Sequence, residues 1–361
     1  DCIAGIAVNA LGHAPPVLQK ALSEQAAKLW HTSNMFKVKG QEDLAAKYTR
    51  DCFADVVFFT NSGTEAIEGA LKTARKYHSA NGHPERVDII GFEGSFHGRS
   101  YAAINASGNP NYLEGFGPRL PGFLQAKYND FESVKALAGP TTAAIIIEPV
   151  QGEGGVRAAS DDFLRGLRKL ADDGGFLLIF DEVQSGAGRT GKMWAHEWSG
   201  VTPDIMAVAK GVGGGFPMGA FLATKEASKG MVKGVHGTTF GGNPLAMAVG
   251  NACYDELSKP EFVQRVNTVA NFLGQALEGL KDRHPDLVVE TRGKGMLRGL
   301  KLKIDPKAIQ GKLRDRKVLV GVAGDNVLRL APPLVIDEAQ ISQAIDAIDA
   351  VLAAQMAEAG A

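Results

Sequence analysis

The stretch from Phe176 to Gly215 decides the fold: FLLIFDEVQSGAGRTGKMWAHEWSGVTPDIMAVAKGVGGG. It opens on an unbroken apolar run, Phe176-Leu177-Leu178-Ile179-Phe180. A short apolar run without polar alternation suits a strand covered on both faces, as in a parallel sheet. The run stops at Asp181-Glu182. A carboxylate at the carboxyl end of such a strand lies where open α/β sheets bind ligands. A second short strand, Asp204 to Ala209, ends in Lys210 and the turn Gly211-Val212-Gly213-Gly214-Gly215. One acid and one amine therefore close two apolar strands. A lysine amine condenses with an aldehyde, and pyridoxal phosphate is the usual one. A buried carboxylate beside that cofactor's ring nitrogen keeps the ring protonated and electron-withdrawing. Lys210 and Asp181 fit those two roles, although a strand-end acid and a solvated lysine are each common alone.

Outward from this pair the chain alternates strands and helices, which argues for a mostly parallel sheet. Asp55 to Asn61 reads as a strand ending at Ser62-Gly63-Thr64-Glu65, where a helix to about His78 begins. A turn of this kind caps a helix, through Ser62 or Thr64, and also offers free backbone N–H groups to an anion. Val87 to Phe92 is a further strand, followed by Gly94-Ser95-Phe96-His97-Gly98-Arg99. Phe96 can stack on a planar ring. His97 has no second ligand at metal spacing, so no metal is expected. Arg99 is either a surface charge or a bidentate carboxylate binder. Ala143 to Val150 is a strand carrying Glu148 near its end, and a helix from Asp161 to Ala171 returns the chain to Phe176. Met218 to Thr224 is another strand. The loop from His236 to Pro244 leads into a helix ending near Leu257. Before the sheet, helices are expected over Val17–Leu29 and Leu44–Phe53, with a polar loop between them. Beyond Pro260 come an amphipathic helix, Glu261 to Leu280, strands Val288–Glu290 and Leu297–Leu302, and a helix from Glu338 to about Met356.

The 361 residues suffice for one large domain and one smaller one. A net charge of −1 gives no general attraction to nucleic acid or to an acidic membrane. No apolar run reaches the length of a membrane span, and no signal segment opens the sequence. Cys2, Cys52 and Cys253 form no CxxC pair, which favours free thiols in a reducing compartment and a cytoplasmic location. The glycine-rich turns contain no complete GxGxxG at a first strand-helix turn and no GxxxxGK[ST], so a dehydrogenase or nucleotide-binding reading is weak. A non-enzymatic cofactor-binding regulator would need a DNA-binding module, and no spare domain or basic patch supplies one.

IFDEVQSGAGRTG, TPDIMAVAKGVGGGFPMGA and HGTTFGGNPLA, with TNSGTEAIEGALKTAR and GSFHGRS upstream, strongly resemble the class III pyridoxal-phosphate aminotransferases of fold type I. The resemblance spans about Gly5 to Pro333. It implies an α/β large domain with a mostly parallel central sheet over residues 41–257, an N-terminal segment 1–40, and a smaller α+β domain over 258–361. It implies Lys210 as the residue holding pyridoxal 5'-phosphate, with Asp181 at the ring nitrogen. Ser62, Gly63 and Thr64 would bind the phosphate, Phe96 and Val183 the two ring faces, and Gln184 the ring hydroxyl, with His97 also in the cofactor site. Thr239 would reach the phosphate of the neighbouring subunit, making a homodimer with a shared site. Arg99 would hold a substrate carboxylate, and Glu153 and Arg329 would form a switch between two unlike substrates. Across GIAVNALGH, HTSNMF, YNDFESVKAL, EPVQGEGGV and GVTPDIMAVAK the likeness is greatest to members acting on N2-acetylornithine with 2-oxoglutarate, giving glutamate in arginine biosynthesis. Gly5-Ile6 stands where members using free ornithine usually carry a tyrosine. That departure suits an acylated α-nitrogen without separating acetyl from succinyl. Ornithine, 4-aminobutyrate, succinylornithine and succinyldiaminopimelate aminotransferases, or an aminomutase, are the rivals.

Overall fold

The computed structural model describes residues 1–359. Nine strands precede residue 224: β1 (Val56–Thr60), β2 (Asp88–Phe92), β3 (Phe123–Ala126), β4 (Thr142–Ile147), β5 (Val150–Gln151), β6 (Arg157–Ala158), β7 (Leu177–Asp181), β8 (Ile205–Val208) and β9 (Gly219–Ala223). Seven of them form one sheet in the order β1-β9-β8-β7-β4-β2-β3. Only β9 runs against its neighbours; the pairs β8–β7, β7–β4, β4–β2 and β2–β3 are parallel. The carboxyl ends of β1, β2, β4, β7 and β8 therefore gather at one edge, where the central stretch leads a ligand site to be expected.

The apolar runs are buried on both faces for a visible reason. Ile89, Ile146, Ile179, Ile205 and Phe221 pack with Ile67, Ala70 and Leu71 of the helix Gly63–Ala80. The alternate residues Ile90, Ile145, Leu178 and Phe180 pack instead with Phe163, Leu164 and Leu167 of the helix Asp161–Gly174. Period-two side-chain alternation sends neighbours along one strand into two different cores. A third core, containing Tyr48, Trp194, Met206, Val208 and Leu222, continues through the helices Pro244–Leu257 and Pro260–Arg283. It reaches a four-stranded antiparallel sheet in the order β10-β11-β13-β12, made of β10 (Val288–Lys294), β11 (Leu297–Leu302), β12 (Gly321–Ala323) and β13 (Val327–Leu330). This sheet and the helices Pro306–Asp315 and Glu338–Ala359 make the smaller α+β portion.

Several boundaries differ from expectation. The helix expected to begin at Leu44 starts at Lys39, inside the stretch read as loop. The strand expected to reach Val150 divides, because Pro149 has no N–H to give a ladder; β4 stops at Ile147 and β5 resumes beside β6. Near the start, Ala4, Gly5, Ile6 and Ala7 all have positive φ (49°, 63°, 67° and 61°). Each non-glycine there costs about 1–2 kcal/mol. The turn is held by Ala7 N–H to Ile3 O at 2.9 Å and Val8 N–H to Ala4 O at 2.8 Å.

Candidate active site

Five strand ends build the site. Beyond β1, the Ser62 hydroxyl accepts from Glu65 N–H at 3.2 Å and caps the helix Gly63–Ala80. The first amides of a helix have no intrahelical partners, and Gly63 and Thr64 present theirs beside the positive end of an 18-residue dipole. Gly63 is required by close approach, since a Cβ there would lie 2.8 Å from Val183 Cγ1. Cap and anion cradle are thus one structure.

At the end of β7, Asp181 is buried, and its Oδ2 lies 2.7 Å from Nδ1 of the equally buried His97. Its Oδ1 accepts from Val183 N–H at 2.9 Å. His97 Nε2 is buried without a partner among the described residues, so the ring's hydrogen bond there runs through Nδ1. Burial opposes a charged imidazole, yet the hydrogen bond and charge of Asp181, with Glu148 behind them, raise the His97 pKa. Among the described residues no cluster of His, Cys, Asp or Glu could hold a metal ion.

Lys210 follows β8 with φ of +50°. Burial, reinforced by Arg329 against the pull of Glu153, brings its ammonium down to about 8. A cavity of about 340 Å³ joins Ser62, Gly63, Thr64, Phe96, His97, Asp181, Val183 and Lys210, closed by Val8 and Phe216–Met218. This size suits a small-molecule site, which typically measures about 300–1,000 Å³.

Arg329 comes from β13 of the other sheet. It is 3% exposed, and its Nη1 donates to Glu153 Oε1 at 2.5 Å and to Gln184 Oε1 at 3.2 Å. The side-chain oxygen of Gln184 thus faces the arginine, and Gln184 is not among the residues lining the cavity. Arg99 is exposed, with its guanidinium 4.1 Å from the ring centre of Tyr112 and 5.3 Å from that of Phe96. Thr239 is exposed in a loop away from the cavity of its own chain.

Sequence reasoning passed over Glu148 as a site residue. It is buried directly after β4, accepting from Phe96 N–H at 3.0 Å and Gly152 N–H at 3.4 Å. Burial, then the charge of Asp181, pushes its carboxyl up to about 8. Its signal was a strand-end acid, the same signal that singled out Asp181. Tyr112, which meets Phe96 edge to face and lies under the Arg99 guanidinium, had no such signal.

The residues present fit pyridoxal phosphate. A helix-terminal cradle, a buried carboxylate and an amine of lowered pKa face one cavity of suitable size, and a Cβ on Gly63 would push Val183, another residue of the cavity wall, out of place. On a mostly parallel sheet, this arrangement defines a fold type I pyridoxal-phosphate-dependent transferase.

Residues 1–352 match the aminotransferase class-III family. Acetylornithine aminotransferase 2 of Caulobacter vibrioides is 58% identical over 363 residues, covering 100% of this chain and 90% of that protein. Acetylornithine aminotransferase of Mesorhizobium japonicum is 55% identical, covering 97% and 88%. Among solved structures, N-acetylornithine aminotransferase of Stenotrophomonas maltophilia superposes with a TM-score of 0.86 at 36% identity, covering 99% of this chain and 91% of that one. Ornithine aminotransferase of Toxoplasma gondii gives 0.94 at 31% identity, covering 99% and 87%. The chain belongs to the class-III aminotransferases and is a pyridoxal-phosphate-dependent transaminase.

Proposed function

We propose that the chain moves the δ-amino group of N2-acetylornithine to 2-oxoglutarate, giving N-acetylglutamate semialdehyde and glutamate, a step of arginine biosynthesis. The observation that carries this reading is the Arg329–Glu153 pair beside Lys210, a buried cation masked by a carboxylate that is itself 26% exposed. Glutamate brings a carboxylate next to its reacting amine and needs a cation there. Acetylornithine brings only hydrogen and an alkyl chain to the same place. An unpaired buried arginine beside that chain would be costly. Glu153 masks Arg329 for the one substrate and withdraws for the other. The names of the relatives support the acylated donor.

When bound, pyridoxal phosphate supplies an aldehyde that condenses with amines and a protonated ring that draws electrons from the reacting carbon. Gly63 and Thr64 N–H groups, with the Ser62 hydroxyl, would hold its phosphate. Asp181 would hold the proton on the ring nitrogen, with His97 fixing the carboxylate's orientation. Lys210 would anchor the aldehyde and, once free, remove the proton from the donor's δ-carbon; an amine of pKa about 8 suits that work near neutral pH. Arg99 binds the distal carboxylate of either substrate.

The same reading includes a division at 40 and 257 into N-terminal segment, large domain and small domain, a cytoplasmic location, and a homodimer whose Thr239 serves the partner's phosphate site. Among the described residues no helix is long and apolar enough to cross a membrane. Steady-state rates with acetylornithine, succinylornithine, ornithine and 4-aminobutyrate test the substrate. The expected kcat/KM for acetylornithine exceeds those for ornithine and 4-aminobutyrate by about 100-fold. Equal or faster turnover of ornithine would overturn the assignment.

A further inference from the structure

Arg189 is a fully buried guanidinium that the proposed chemistry leaves without a task. It stands eight residues beyond the Asp181 strand end and is 2% exposed. Among the described residues no carboxylate pairs with it. Its Nη1 donates to Met296 O at 3.2 Å and to Pro332 O at 2.5 Å, while Nη2 finds no partner among the described residues. Burial alone lowers its pKa, to about 9. A buried cation without a counter-ion is among the costlier features a fold can keep, and an apolar residue of like volume often does better. Its retention calls for a reason beyond stability.

What Arg189 grips supplies the reason. Met296 lies in the turn between β10 and β11, and Met296 N–H donates back to Arg189 O at 2.9 Å. Next to it, a Cβ on Gly295 would fall 2.4 Å from the Thr190 carbonyl carbon, so the two backbones touch. Asn267 Nδ2 donates to Gly191 O at 2.8 Å and Trp198 Nε1 to Thr190 O at 3.1 Å, fixing the segment from the other sides. Pro332 lies three residues after Arg329 on the chain leaving β13. One side chain thus ties the segment that follows Asp181 to both the β10–β11 turn and the chain just beyond the strand carrying Arg329. Both bonds leave one nitrogen of a planar guanidinium whose donor directions are fixed, whereas the donors of a lysine ammonium rotate on a flexible stem.

We infer that Arg189 is a positioning residue that sets Arg329 at the depth where it can bind the carboxylate beside the reacting amine. The inference rests on the proposed reading of Arg329. It assigns Arg189 a selective effect: dicarboxylates that need Arg329 suffer when it is lost, and the amine donor, which does not need Arg329, suffers little.

Glutarate, a non-reacting dicarboxylate, is the probe, titrated calorimetrically into the holoenzyme. Arg189→Met, which keeps the volume, is expected to weaken glutarate about tenfold while the acetylornithine half-reaction, followed by the change in cofactor absorbance, stays within about threefold. Arg189→Lys should fall between Met and the native residue, and it carries the test if the Met variant does not fold. In an Arg329→Ala background, Arg189→Met should weaken glutarate no further, because both changes remove one interaction. Unchanged glutarate binding in Arg189→Met and Arg189→Lys, equal losses in both half-reactions, or additive effects in the double variant would each overturn the inference. Arg329→Ala alone separates the two levels. If it leaves glutarate unaffected, the reading of Arg329 fails and the inference falls with it. If it weakens glutarate while the Arg189 variants do not, only the inference fails.

Discussion

His97 Nδ1 and Asp181 Oδ2 meet at 2.7 Å from the ends of two different strands, both side chains buried. The contact orients the aspartate, and among the described residues no Lys or Arg lies within ion-pair range of it. Asp181→Asn removes the charge at nearly constant shape. It is expected to lower kcat by about 10²–10³-fold, the magnitude seen when one group facing a developing charge is lost. His97→Asn should cost much less, because it loosens the carboxylate without neutralising it. Stopped-flow half-reaction rates measure both. Equal losses in the two variants would show that the imidazole, not the carboxylate, carries the effect.

Glu148 makes acid and neutral pH differ. Its folded pKa of about 8 lies above its ordinary value of 4.5, so the native state binds a proton that the unfolded chain has released between those limits. Its contribution is complete below pH 4.5 and is lost as pH rises toward 8. Lys210 has the opposite sense. Its folded pKa of about 8 lies below the ordinary 10.5, so stability rises with pH across that window in the cofactor-free protein. Thermal melts of the apoprotein from pH 5 to 10 check both signs. Glu148→Gln should flatten the lower window and Lys210→Met the upper. Slopes unchanged by either substitution would mean that other groups govern them.

The sequence exposed some of this site and hid the rest for physical reasons. Strand β7 and the ends at Asp181 and Lys210 were legible because strands buried on two faces must be apolar throughout, so a charge at their end stands out. The Ser62 cap was legible from its local residue types. Strand β3 was not, since Phe123–Ala126 is four residues long, contains Gln125 and pairs on one side only. The left-handed turn at Ala4–Ala7 was hidden because alanine and isoleucine have no preference for positive φ. The Arg189 clamp joins positions 107 and 143 residues apart, which no local pattern encodes. Glu148 was visible as a strand-end acid, but nothing local says that it turns toward Phe96 N–H rather than solvent.

Glu153 and Arg329 predict a split between the two half-reactions. Arg329→Ala should damage the glutamate half-reaction about tenfold or more beyond its effect on acetylornithine. Glu153→Ala should do the reverse, leaving a buried arginine beside the donor's alkyl chain. Single-turnover rates with each amine measure the split. Matching losses in both half-reactions for both variants would reduce the 2.5 Å pair to a structural ion pair.

The proposed homodimer places Thr239 at the phosphate site of the neighbouring chain. In its own subunit it is exposed in the loop before the helix Pro244–Leu257, while the phosphate cradle lies at Ser62–Thr64. The loop sits against the segment 30–36, where Asn34 Nδ2 donates to Thr238 O at 3.2 Å and the His31 and Phe240 rings lie 5.3 Å apart. That surface leaves Trp30 65%, Met35 81%, Phe36 64% and Phe240 60% exposed. Large apolar side chains grouped in this way mark a contact surface. A two-fold contact through this patch would bring each Thr239 toward the other subunit, and complementation tests it. Lys210→Ala chains lack the amine but keep Thr239; Thr239→Glu chains keep the amine but set a carboxylate against the partner's phosphate. Each homodimer should be nearly inactive. A hybrid has one site with the native lysine and a native threonine supplied by the other chain. An equal mixture, unfolded and refolded together, should recover about a quarter of native activity, since half of randomly paired dimers are hybrids with one of two sites intact. Sedimentation of the same samples should show dimers throughout. No recovery in the mixture, or full activity in a monomeric fraction, would place Thr239 outside the neighbouring site.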